Sequence, residues 1–120
     1  MTSNRMLQAG AALLLAAMLV AGVHAHHGWS EYDSSKPLTV TGVVKESGYE
    51  HPHGHVHLEA VGKTWQVVLA PPSRMERRGL SRADLKPGTQ VTVVGYANRG
   101  KPEEMRAERI TAGVKTVELR

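Results

Sequence analysis

Four histidines stand at alternate positions in His51-Pro52-His53-Gly54-His55-Val56-His57, and the run continues into Leu58, Glu59 and Ala60. Imidazole is the commonest side-chain metal ligand, and it is also the group whose charge changes nearest neutral pH. A β-strand sends successive side chains to opposite faces. In that conformation Val56, Leu58 and Ala60 face a core, while His53, His55, His57 and Glu59 share the outer side. Alternate Cα atoms on a strand lie about 6.5–7 Å apart. Two ring nitrogens leaning together across that gap reach one ion at about 2 Å each. The row therefore offers metal coordination. Its other reading is a solvated strand face, sensitive to pH and otherwise idle.

A second histidine pair depends on how the chain begins. Arg5 is followed by an apolar stretch rich in Ala and Leu from Leu7 to Gly22, and Val23-His24-Ala25 closes it with a small residue. This is the layout of a secretory leader cut after Ala25. Uncut it would be a membrane anchor, but about 16 apolar residues fall short of the roughly 20 that span a bilayer. Cleavage makes His26 the first residue, followed by His27. We therefore expect a leader over 1–25, an extended arm over 26–37, one domain over 38–120, and a periplasmic or secreted location. Any membrane association would come only through an uncleaved leader.

Composition narrows the choices. The chain has no cysteine, so disulfides and thiolate zinc sites are excluded. Removing Arg5 leaves 14 Lys and Arg against 11 Asp and Glu, with both signs interspersed. Proteins dedicated to nucleic acid or membrane surfaces concentrate their charge more strongly.

The elements that position the histidines are short strands joined by tight turns. Leu38–Glu46 alternates and is β-branched, a strand in which Gly42 predicts a bulge or sharp bend. The histidine strand comes next, then a hairpin at Val61-Gly62-Lys63 and a strand over Thr64–Ala70 with Trp65, Val67 and Leu69 on one face. Pro71-Pro72 opens a short helix over Ser73–Arg78 that Gly79 stops. Ser81 and Asp84 mark a second helical turn. Strands over Thr89–Gly95, Met105–Thr111 and Lys115–Leu119 complete the chain. Three strands, a helix and two or three more strands is the order of an OB-fold, an all-β, five-stranded Greek-key barrel. An antiparallel sandwich is the alternative.

The segments His26-His27-Gly28-Trp29, Leu69-Ala70-Pro71-Pro72-Ser73-Arg74-Met75 and Met105-Arg106-Ala107-Glu108-Arg109-Ile110 resemble a family of small exported bacterial proteins known only as a domain of unknown function. The resemblance runs over nearly the whole chain and brings no activity with it. It implies that paired histidines after the leader and an Asn-Pro-His triplet before the second strand are common features. Here His26, His27 and His53 match them, His51 replaces the Asn, and His55 and His57 are additions.

Nitrogen donors dominate the candidate ligands. A terminal amine, His26, His27 and one or more of His53, His55 and His57 would be a nitrogen-rich set suited to Cu(II). Zinc would accept the same imidazoles tetrahedrally and is the second choice. A third ligand for the row would otherwise come from a carboxylate such as Glu50 or Glu59. No nucleophile elbow or phosphate-cradling loop is present, so an enzyme is not expected. The outward positions of the second and third strands hold no Phe, Tyr or Trp on which bases could stack, which argues against nucleic acid. Arg74, Arg77, Arg78 and Arg82 read as a solvated helix face beside Glu76 and Asp84, or else as a site for an anionic partner. The expectation is an exported Cu(II) carrier, buffer or chaperone. The alternative is a metal-free envelope adaptor that binds a protein or small molecule on the barrel face.

Overall fold

Branched apolar residues alternating with polar ones build six strands. In the computed structural model, which describes residues 28–120, they are β1 (Leu38–Gly48), β2 (His55–Ala60), β3 (Lys63–Val68), β4 (Gln90–Ala97), β5 (Glu104–Ala112) and β6 (Lys115–Glu118). One helix, α1 (Pro72–Arg77), lies between β3 and β4. Neighbouring strands run antiparallel in the order β3-β2-β1-β4-β5-β6, and a parallel pairing of β3 with β5 closes the first five into a ring. This is the OB-like Greek-key barrel expected from the order of elements. β6 adds a hairpin to β5.

Alternation places the core as the pattern requires. On β2, Val56 and Leu58 are completely buried, and Val67 and Leu69 meet them from β3 and the residues after it. The α1 helix contributes the fully buried Met75, starts on Pro72 and is followed by Gly79 at φ +89°. Ser81 and Asp84 then form a reciprocal capping box on a 3₁₀ turn over Arg82–Leu85, which buries Leu85.

The bulge in β1 lies at Lys45, between Val44 and Glu46, and not at Gly42. Gly42 keeps regular register with Val91. Its missing side chain serves close approach instead, because a Cβ there would run into the Glu59 carbonyl.

The chain divides into two compact units, Met1–Ser30 and Glu31–Arg120, and the barrel belongs to the second. The expected leader, its cleavage site, His26 and His27 lie outside the described residues. Among the described residues no helix is long and apolar enough to cross a membrane. Ahead of β1, Tyr32 bridges to Asn98 just beyond β4. The Asp33 N–H donates to the Ala97 carbonyl, and the Arg99 N–H donates to the Glu31 carbonyl, each at 2.9 Å. This part of the arm is thus laid along the end of β4.

Candidate functional site

Because Val56 and Leu58 occupy the inner side of β2, the histidines are forced outward. His53 and His55 are exposed and His57 is half-buried. The His55 and His57 rings stand 5.7 Å apart at their centroids, tilted 44° to each other. Together with His53 they line a hollow of about 190 Å³ floored by Gln66, Val67 and Val68 and bounded by Glu104. His57 and Gln66 also border a second hollow, of about 390 Å³, with Lys63, Thr64 and Glu103.

The bulge in β1 decides what faces the row from the other side. The extra residue lets consecutive side chains, Lys45 and Glu46, both reach solvent. Lys45 Nζ pairs with Glu59 Oε2 at 3.1 Å, and Glu46 Oε2 stands 3.2 Å from His57 Nδ1. Glu59 is thereby committed to a lysine and does not serve the histidines. Two residues further on, Gly48 sits opposite His55, and a side chain at Gly48 would overlap the His55 ring. Glu46 and Gly48 belong to the site, yet nothing in the local sequence marks them. Only the register of β1 against β2 brings them there.

On the far side, Glu104 is held by two donors. Tyr32 Oη and Asn98 Nδ2 each donate to its Oε2 at 2.8 Å. Burial, together with the hydrogen bond to Glu104 and its charge, pushes the Tyr32 phenol up to about 12. The arm is therefore fastened to a residue that also borders the histidine hollow. These partners are 72 positions apart, beyond the reach of any local pattern.

Among the described residues no three histidine, aspartate or glutamate side chains converge on a point that would hold a metal ion. His53, His55 and His57 share one face, whereas Glu50 and Glu59 do not complete a site with them. Three of the four clustered arginines have structural partners. Arg74 donates to the Leu119 carbonyl, Arg78 to those of Glu118 and Arg120, and Arg82 to that of Tyr49, over whose ring it lies. Trp65 is half-buried at the margin of the core with Lys63 Nζ 3.6 Å above its ring.

Comparison with solved structures adds to the fold alone. A complex of TiaS with an isoleucine tRNA and ATP contains a chain similar to this one at a TM-score of 0.50 and 19% identity. The match covers 73% of this chain but only 19% of that one. No curated protein matches the sequence. A family match, by contrast, runs over residues 13–106 and so takes in both histidine groups along with β1, β2 and β3. The chain belongs to that family, a family of unknown function (DUF6152).

Proposed function

We propose that the protein is an exported, non-enzymatic metal-binding protein, a Cu(II) carrier, buffer or chaperone located in the periplasm or secreted. The observation that carries this reading is the pair of neighbouring imidazoles, His55 and His57, on a solvent-facing strand beside a third, His53. Nitrogen-rich sets favour Cu(II) over the other divalent first-row ions, and Zn(II) accepts the same imidazoles tetrahedrally. The reading adds His26, through its ring and its amine, and His27. Tyr32 comes six positions after His26, a tether of at most about 21 Å.

The test begins with intact-mass analysis to establish the first residue of the exported protein. Calorimetric titration with Cu(II) follows, on that species and on one carrying an extra residue ahead of His26. Binding weakened by the extra residue assigns the terminal amine as a ligand. Joint replacement His53→Ala, His55→Ala and His57→Ala is expected to reduce binding further. If the exported protein takes up no Cu(II) or Zn(II), the reading is lost.

A metal-free adaptor has one observation in its favour. Val43 and the fully exposed Val61 line a separate hollow of about 450 Å³ with Lys45, Glu59 and Ala60. Such apolar exposure suits a protein partner. Nucleic acid gains nothing comparable, since the outward residues of β2 and β3 are His55, His57, Glu59, Thr64, Gln66 and Val68, with no Phe, Tyr or Trp among them.

A further inference from the structure

We infer that the barrel holds a two-histidine half-site of its own, in which His55 and His57 are the ligands and Glu46 and Gly48 on β1 are the positioning residues. This rests on the metal-binding reading but departs from it on one point. The pair needs no residue ahead of the barrel to be set in place.

His57 is oriented by the carboxylate beside it. Glu46 Oε2 lies 3.2 Å from His57 Nδ1, and because a carboxylate only accepts hydrogen bonds its charge favours a proton on that nitrogen of the ring. The neutral ring then carries its lone pair on Nε2. Metal-bound histidines are commonly oriented in this way, by an outer carboxylate on the nitrogen that does not bind the ion. Glu46 therefore biases both the tautomer and the ligating atom. It is itself largely exposed, at 70% of its side chain, so it adds little to the stability of the fold.

His55 is positioned by an absence. Its ring lies over the backbone of β1 at Gly48, in space that any side chain there would fill. Both rings thus lean on β1, one on a carboxylate and the other on bare backbone, and the bulge at Lys45 supplies the register for both contacts. The 5.7 Å between centroids is near the value for a shared ion. Two imidazoles bound at about 2 Å stand roughly 5.2 Å apart at a tetrahedral angle and roughly 4.5 Å apart at a right angle. A small rotation of each ring reaches the first, and a larger one reaches the second. The ion class is a borderline divalent cation, Zn(II) or Cu(II), whose other positions are left to water or exogenous ligands.

The test uses the full exported chain and the two ions alone as probes. Zn(II) and Cu(II) titrations are compared for the unaltered protein, Glu46→Gln, Gly48→Ala and the pair His26→Ala with His27→Ala. Nitrogen-15 shifts of the His57 ring are read in the metal-free state. Glu46→Gln is expected to raise Kd about tenfold or more, to leave the metal-free melting temperature unchanged, and to turn His57 from a single Nδ1–H tautomer into a mixture. Gly48→Ala is expected to weaken binding similarly by displacing His55. The terminal pair is expected to lower the total metal bound while one ion per chain still titrates at the barrel. Unaltered affinity in Glu46→Gln, or loss of all binding in the terminal pair, overturns the inference while the metal reading stands. Failure of the unaltered protein to bind either ion overturns both, and the tautomer readout then shows whether Glu46 orients the ring at all.

Discussion

Two outward faces of one barrel follow the same alternation and reach opposite chemical ends. On β1, β4, β5 and β6, Thr41, Thr92, Thr111 and Thr116 stand directly opposite one another in a single rank across four strands. Thr41 and Thr92 share a hydroxyl hydrogen bond of 2.8 Å, and Thr111 and Thr116 share one of 3.0 Å. Hydroxyls both donate and accept, and threonine suits a strand, so this face satisfies itself. The histidine row on β2 does not. Among the described residues nothing hydrogen-bonds the His53 or His55 rings, and His57 has a partner on one nitrogen only. Alternation decides which side of a strand a residue occupies. Whether its polar atoms are already matched decides whether that side is scaffold or site.

The contrast can be broken first on β2 itself, where adjacent residues point opposite ways. Leu58 is completely buried, whereas the His57 side chain is 37% exposed. Leu58→Ala is expected to cost about 2–5 kcal/mol by leaving a cavity. His57→Ala should stay within about 0.5 kcal/mol, as surface changes do. Urea denaturation measures both. Comparable losses would mean that the histidine row is part of the scaffold after all.

A smaller effect is expected where the arm meets the histidine hollow. Tyr32→Phe removes one of the two donors to Glu104 Oε2 and should cost about 1–3 kcal/mol, since a partly buried carboxylate loses a partner. The loss should depend on pH in a definite direction. The folded phenol is raised to about 12, against about 10 when unfolded. The stabilisation is therefore full below pH 10 and disappears as pH climbs through about 12. The stability gap between the parent and Tyr32→Phe should narrow over that window. A gap that stays constant to pH 12 would show that the fold does not hold the phenol neutral.

These residues also mark what a one-dimensional reading can reach. The period of two sends Val56 and Leu58 inward and the histidines outward, as the structure has them, because that pattern is local. Pro72, Gly79 and the Ser81–Asp84 cap are equally visible, each being a backbone requirement met by a near neighbour. Glu46, Gly48 and Glu104 are not visible. Their roles come from strand register and ring closure, which depend on segments far apart in sequence. The bulge shows the limit clearly. Gly42 attracts the assignment by residue type, but the extra residue is Lys45, where β1 changes its register against β2. Arg74 of α1 and Arg78 just after it make the same point, since carbonyls of residues 118–120 supply partners that no charge pattern on the helix foretells.

The smallest expected effect lies on the threonine face and sharpens the contrast most directly. Thr41 is exposed and Thr92 half-buried, so removing one hydroxyl leaves the other able to turn to water. Thr92→Val should therefore cost only about 0.2–1 kcal/mol. Replacing both with valine removes donor and acceptor together and preserves shape, which is close to neutral. A double-mutant cycle isolates the pair term, and a coupling of about 0.2–1 kcal/mol is expected. Metal titration of the same variants should match the parent, because the rank lies on other strands than the histidines. If Thr41→Val and Thr92→Val were to shift metal affinity as Glu46→Gln does, the two faces would be energetically one surface. Self-satisfaction would then no longer separate scaffold from site.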